Sequence, residues 1–97
     1  MQSIIKENSY NIEDIFASKG RTKIIKILVF SHETNISYIV KMSGLNHNSV
    51  KKHLELLIKA KIVEEKCFGR IKIYRFCDEN IRARAIKNLI EFWDDYE

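Results

Sequence analysis

The chain has 97 residues, of which 45% are hydrophobic and 31% are charged, and this composition suits one small folded domain. It excludes a disordered polyelectrolyte and a collagen-like repeat. No apolar run approaches the ~20 residues that cross a bilayer, and no basic and apolar leader follows Met1, so we expect a cytoplasmic protein with no membrane partner. The two cysteines are too few for a disulfide scaffold.

Positive charge is concentrated in the middle of the chain. Residues 19–75 contain thirteen Lys and Arg against four acidic residues, whereas residues 1–18 and 76–97 are both net negative, and the whole chain carries +4. A basic middle between acidic ends favours a surface that binds a polyanion, although lysine-rich helices are also common as solvated surfaces.

The first half of the chain shows apolar residues at helical spacing. This pattern predicts a weak helix over residues 12–17 and a stronger helix over residues 18–31, with Ser18 as its N-cap. A short helix follows, for which we expect Ser37 to be the N-cap. Gly44 is expected to end it, because glycine readily adopts positive φ.

The helix that follows is strongly predicted and is the most informative element. It is predicted from His47 to Lys59, with Asn46 as its N-cap. On a helical wheel, one side of this helix is apolar and the other is polar and mostly basic. The apolar side holds Val50, Leu54 and Leu57, and the polar side holds Asn48, Lys51, Lys52, Glu55 and Lys59.

Two runs of β-forming residues, 62–68 and 71–77, are joined by Gly69 and Arg70 and predict a hairpin. A two-residue turn pairs Phe68 with Ile71, Cys67 with Lys72 and Glu64 with Arg75. Both faces of the hairpin are then partly apolar. The second face needs a cover, for which the candidates are a partner chain or the N-terminal segment with Ile4, Ile5 and Tyr10.

The last 20 residues are predicted to form a helix from an N-cap at Asp78 to Tyr96. Its apolar stripe is too large for a lone monomer to cover, which favours a homodimer. The alternative is that the helix folds back over its own wing. The predicted dimer contacts are Ile12, Ile15, Phe16, Ile86, Leu89, Ile90, Trp93 and Tyr96.

The order helix, short helix, turn, helix and hairpin is that of a winged helix-turn-helix. We therefore predict one α+β, mainly helical domain over residues 1–97. Residues 12–77 form a three-helix core with a β-hairpin wing, and residues 78–97 form an added C-terminal dimerisation helix. The recognition helix would enter the major groove of double-stranded DNA, and the wing would meet the backbone or the minor groove. The predicted DNA-binding residues are Ser37, Asn46, His47, Asn48, Ser49, Lys51, Lys52, Lys66, Arg70 and Lys72.

Four segments carry a resemblance to a known family. The two most specific are residues 44–54, GLNHNSVKKHL, and residues 69–75, GRIKIYR. The other two are residues 12–21 and 35–39. These segments resemble the small archaeal winged-helix regulators of the ArsR-like superfamily. The resemblance implies a dimeric, DNA-binding transcriptional regulator. Lys61 departs from the pattern, because many relatives have glycine between the recognition helix and the wing.

Other kinds of function have less support in the residues. The histidines and cysteines form no close pair of metal-ligand spacing, so no metal and no cofactor are expected, and His53 is predicted to be a partly buried packing residue. Cys67 and Cys77 should point to opposite faces of the hairpin. No Ser-His-acid set, phosphate loop or effector site is evident, and an enzyme is not expected.

Two binding functions remain as alternatives. One is a low-specificity architectural protein that coats DNA, which the sequence does not separate from a regulator. The other is a winged helix that binds protein or RNA, since a fold does not determine a function. A protein-binding version should expose apolar groups where this chain has Asn48, Lys51, Lys52 and Lys59.

Overall fold

A computed structural model describes residues 10–95 of the chain, excluding the side chain of Asp95. The expectations for Ile4, Ile5 and Tyr96 therefore lie outside the described residues. The described part is mainly helical, as predicted, and contains one three-stranded antiparallel sheet. The elements in chain order are α1 (Ile12–Ile15), α2 (Lys19–Ser31), β1 (Glu33–Thr34), α3 (Ile36–Ser43), α4 (His47–Lys59), β2 (Val63–Phe68), β3 (Ile71–Phe76) and α5 (Ile81–Asp95).

Local capping chemistry sets the ends of three helices as the sequence predicts. The Ser18 hydroxyl accepts a hydrogen bond from the Arg21 amide at 3.1 Å and starts α2. The Asn46 side chain accepts from the Ser49 amide at 2.8 Å and starts α4. Gly44 ends α3 in the left-handed conformation, with φ of 75°.

Two predicted N-caps are wrong by two residues. Asn35, and not Ser37, caps α3, because its side chain accepts from the Tyr38 amide at 2.9 Å and Ser37 lies inside the first turn. Likewise α5 begins at Ile81, because the Asn80 side chain accepts from the Arg82 amide at 2.8 Å. Asp78 instead forms an ion pair with Lys87 at 3.0 Å.

The turn after α4 contains the residue that departs from the family pattern. The Lys61 amide donates to the Ile58 carbonyl and the Ile62 amide to the Leu57 carbonyl, both at 3.0 Å, which is a Schellman motif. Lys61 adopts φ of 66°, in the left-handed region that favours glycine. Its carbonyl accepts from the Asn80 side-chain amide at 3.1 Å. Asn80 therefore connects the start of α5 to the turn between α4 and β2.

The hairpin has the predicted register, with Phe68 opposite Ile71, Cys67 opposite Lys72 and Glu64 opposite Arg75. The sequence did not predict β1. This two-residue strand pairs antiparallel with β3, which lies in the middle of the sheet order β1-β3-β2. The added strand ties the base of the hairpin to the end of α2.

The core lies between α2, the apolar side of α4 and one face of the sheet. The opposite face of the hairpin exposes Phe68 and Ile71, which are 61% and 60% accessible. The N-terminal segment that was a candidate cover lies largely outside the described residues. The largest fully buried side chains are Ile24, Ile25, Leu28, Val29, Ile39, Val50, Leu54, Leu57, Val63 and Phe76.

α5 uses only part of its apolar surface within the chain. It packs against α2 and buries Ala83, Ile86 and Ile90, and Ile15 of α1 is buried in the same core. The apolar residues Ile81, Leu89, Phe92 and Trp93 of α5 are exposed, as is Ile12 of α1. Among the predicted dimer contacts, Ile15, Ile86 and Ile90 therefore serve the core of the single chain, and Phe16 packs partly buried against that core. Ile12, Leu89 and Trp93 face outward.

A hydrogen-bonded pair joins α4 to the first two helices. The Arg21 guanidinium donates through Nε to Nδ1 of His53 at 3.1 Å and also donates to the Asp14 carbonyl. Burial, and then the positive charge of Arg21, lower the pKa of His53 below its ordinary value. His53 is thus a partly buried packing residue, as predicted, and the folded state favours its neutral form.

This pair predicts a pH dependence of stability. The unfolded chain protonates His53 near pKa 6.5, whereas the folded chain does so only at lower pH, so stability falls as the pH drops below 6.5. We expect the free energy of unfolding to fall more between about pH 7.5 and 5.5 in the wild type than in His53→Asn, whose amide oxygen keeps an acceptor for Arg21. Urea titrations at both pH values measure the free energy of unfolding of each protein. An equal decrease in the wild type and in His53→Asn would contradict the prediction.

Candidate nucleic-acid interface

The polar side of α4 is the main candidate surface. Because Val50, Leu54 and Leu57 are buried, the opposite side of the helix faces outward. His47 and Asn48 in the first turn are exposed, as are Lys51 and Lys52 one turn further on, whereas Ser49 is partly buried. The surface offers amide, imidazole and ammonium groups, which suit base edges and phosphates.

Two further predicted contact residues lie at the N-terminal ends of α3 and α4. The Asn46 side-chain oxygen is engaged by the Ser49 amide in the cap of α4, so only its NH₂ group remains for a partner. Ser37 is exposed in the first turn of α3, where neighbouring backbone amides also face an incoming anion.

The hairpin supplies the second basic surface. Gly69, with φ of 63°, makes the tight turn that leaves Arg70 exposed at the tip, and Arg70 forms no ion pair with any described residue. Lys72 lies 3.7 Å from the carboxylate of Glu65, and Lys66 lies 3.8 Å from that of Glu33 on the other face of the hairpin. Arg70 is therefore the predicted wing residue that is freest to meet a phosphate.

Tyr74 anchors one face of the hairpin in the core. It is buried, and its hydroxyl donates to Glu65 at 3.0 Å. Burial, followed by this hydrogen bond, raises the pKa of Tyr74 to about 12, and the nearby charge of Glu55 on α4 contributes to the rise. The Tyr74–Glu65 hydrogen bond thus joins the two strands of the wing, whose strand β2 packs against α4.

An ion cluster that the sequence did not predict lies on the other face of the sheet. Arg75 pairs with Glu64 and with Glu79, the latter at 2.8 Å. The hydrogen bonding of Arg75 to Glu79 lowers the pKa of Glu79 to about 2. The carboxylates of Glu64 and Glu79 and the buried thiol of Cys77 come within 4.8 Å of one another. Both carboxylates are already bound by Arg75, and burial raises the pKa of the thiol, so the group acts as an ion-pair cluster.

An exposed apolar groove lies away from the polar side of α4. It has a volume of about 370 Å³ between α2 and α3, and its exposed apolar side chains are Phe30, Tyr38 and Met42, with Lys23 and Lys26 on one side. The protein-binding alternative expected apolar groups on the recognition helix itself. There the exposed side chains are polar or charged.

Comparison with solved structures finds the same fold in other proteins. No family model and no curated protein matches the chain. The transcriptional repressor PagR of Bacillus anthracis aligns with a TM-score of 0.67 at 22% identity, over 79% of this chain and 85% of PagR. A homodimeric winged helix-turn-helix DNA-binding domain from Mycobacterium bovis, from a possible ArsR-family regulator, aligns at 0.68 and 20% identity, over 87% and 75% of the two chains. AF1382 from Archaeoglobus fulgidus aligns at 0.65 and 23% identity, over 86% and 97%.

These similarities, together with the hairpin packed beside α4, define the fold as a winged helix-turn-helix. In this fold α3 and α4 are the helix-turn-helix pair and β2 and β3 are the wing. None of the helices within residues 10–95 is long and apolar enough to span a bilayer.

Proposed function

We propose that the chain is a cytoplasmic, ArsR-like transcriptional regulator that binds specific sites in double-stranded DNA as a homodimer and is not an enzyme. The observation that carries this proposal is the orientation of α4. Its buried side fixes Asn48, Lys51 and Lys52 on the outer surface, next to a wing whose tip is Arg70.

Each surface has a role in this proposal. α4 enters the major groove, where Asn48 accepts and donates hydrogen bonds at an adenine edge and His47 and Ser49 line the entry. Lys51 and Lys52 contact phosphates beside it. The wing places Arg70, with Lys72 and Lys66 on its two faces, against the backbone or the minor groove. The N-terminal turns of α3 and α4, at Ser37 and Asn46, add amide contacts to phosphates.

The solved structures support a regulatory role of this kind. PagR is a transcriptional repressor, and the Mycobacterium bovis domain is homodimeric. We carry both properties to this chain as part of the proposal.

The dimer would form through the outward side of α5. Leu89 and Trp93 are 51% and 66% accessible, and Ile12 of α1 is 68% accessible. Exposed apolar side chains of this size mark a contact site, and twofold pairing is the commonest arrangement for small proteins. A twofold axis would present two copies of α4 to successive major grooves about 34 Å apart.

The first test is the salt dependence of DNA binding. If a dimer neutralises about six to ten phosphates, its affinity for duplex DNA should fall by about 10³ to 10⁵ between 50 and 200 mM salt. Fluorescence anisotropy with a labelled duplex at several ionic strengths measures this slope. A flat response would contradict the proposed basic interface.

The second test separates base reading from phosphate contact. Asn48→Ala should weaken binding to the preferred site by roughly 1–3 kcal/mol and leave binding to random DNA nearly unchanged. Arg70→Ala should weaken both, because a phosphate contact is independent of sequence. Competition titrations with the selected site and with random duplex compare the two variants. Equal losses on both DNAs for Asn48→Ala would show that Asn48 does not read bases.

The third test is the mass of the particle. Sedimentation should give about twice the chain mass of 11.5 kDa, and Leu89→Asp with Trp93→Asp should give a folded monomer. Ile86→Asp is the contrasting variant, since Ile86 is buried within the chain and its replacement should unfold the protein. A wild-type monomer at micromolar concentration, with and without DNA, would contradict the dimer.

A further inference from the structure

One acidic residue lies in the middle of the proposed DNA-reading surface. Asn48, Lys52, Glu55 and Lys59 follow one another at helical spacing along the exposed side of α4, and all four are exposed. Glu55 is thus surrounded by the groups that would meet DNA. A carboxylate in this position repels phosphates, so its presence calls for a separate explanation.

Glu55 also differs from the other acidic residues of the basic segment. Residues 19–75 contain four acidic residues, and three of them form ion pairs: Glu33 with Lys66, Glu64 with Arg75 and Glu65 with Lys72. Glu55 forms no ion pair with any residue in the described part of the chain, even though Lys51 and Lys59 lie four residues to either side. Its carboxylate is therefore available to a partner.

Glu55 lies on the same exposed side of α4 as Asn48. It lies seven residues beyond Asn48, which is about 10 Å along the helix axis. With α4 lying along the major groove, this distance spans about three base pairs of stacked DNA. The helix that carries Glu55 packs against β2 of the wing. In the proposed complex this side of α4 faces the base edges of the major groove.

The chemistry of the major groove then limits the base that Glu55 can contact. An ionised carboxylate only accepts hydrogen bonds. In the major groove guanine presents two acceptors, and thymine presents an acceptor and a methyl group. Adenine presents an amino donor, but its acceptor N7 lies beside it. Cytosine presents only a donor, the N4 amino group.

We propose that Glu55 is a specificity-determining residue that accepts a hydrogen bond from the N4 amine of a cytosine, about three base pairs from the pair read by Asn48. This inference rests on the proposed DNA binding and specifies one further base, a cytosine, in the recognised DNA sequence. In the free protein Glu55 stays unpaired, and in the complex its charge penalises DNA that lacks the cytosine.

The test is selection of bound fragments from a pool of random duplex DNA, performed with the wild type, Glu55→Ala and Glu55→Gln. Glu91→Gln on α5 removes the same charge far from α4 in the sequence and serves as the control. The wild type and the control should enrich cytosine at one position, with discrimination of roughly 5- to 150-fold over other bases. Glu55→Ala should lose that preference alone and bind random DNA more tightly. Glu55→Gln should shift it to adenine, which an amide reads with two hydrogen bonds.

The outcomes separate this inference from the proposed function. If Glu55→Ala binds all sequences more tightly and keeps every base preference of the wild type, Glu55 only repels DNA and the inference is wrong while the DNA-binding proposal stands. If the wild type enriches no sequence, specific binding itself is wrong. Circular dichroism of each variant confirms that a lost preference does not come from unfolding.

Discussion

The burial of one side of α4 is the constraint on which the interface depends. Val50, Leu54 and Leu57 are each at most 1% accessible, so rotation of the helix about its axis would expose them and bury lysines. The Asn46 cap fixes where the helix begins, and the Schellman motif at Lys61 fixes where it ends. The choice of residues that face outward is therefore made by the core and the two caps together, before any partner is present.

The sequence predicted the features that short segments determine by themselves. Ser18, Asn46 and Gly44 bring caps whose chemistry acts within three or four residues, and Gly69 with Arg70 sets the register of the whole hairpin. The periodicity of residues 47–59 was strong enough to separate the buried side from the polar side. For these reasons the sequence alone indicates which side of α4 faces outward and which residues lie at the tip of the hairpin.

The sequence-based predictions are wrong or incomplete in two situations. In one, two neighbouring residues are chemically equal candidates for the same role, and in the other, the interacting residue is distant in sequence. Asn35 and Ser37 are both good caps, and only the backbone path decides between them. β1 has two residues, and its pairing with β3 spans about forty positions that no local pattern reveals. The apolar stripe of α5 contains both core and surface residues, which helical spacing alone cannot distinguish, so Ile86 and Leu89 were predicted to have the same role. The charge network of Arg75 likewise exists only once the sheet has formed.

Asn80 has a consequence for how the two halves of the molecule act on each other. One side chain caps α5 through its oxygen and holds the Lys61 carbonyl through its nitrogen, at the turn where α4 passes into the wing. A shift of α5 that moved Asn80 would also pull on the Lys61 carbonyl, and so on the turn between α4 and the wing. Pairing of the α5 helices could then favour one angle between α4 and the wing, and DNA could favour the same angle. In that case dimerisation would raise the affinity for DNA, and DNA would raise the affinity of the dimer by the same factor. A side chain outside the proposed contact residues would then carry cooperativity between self-association and the binding of DNA.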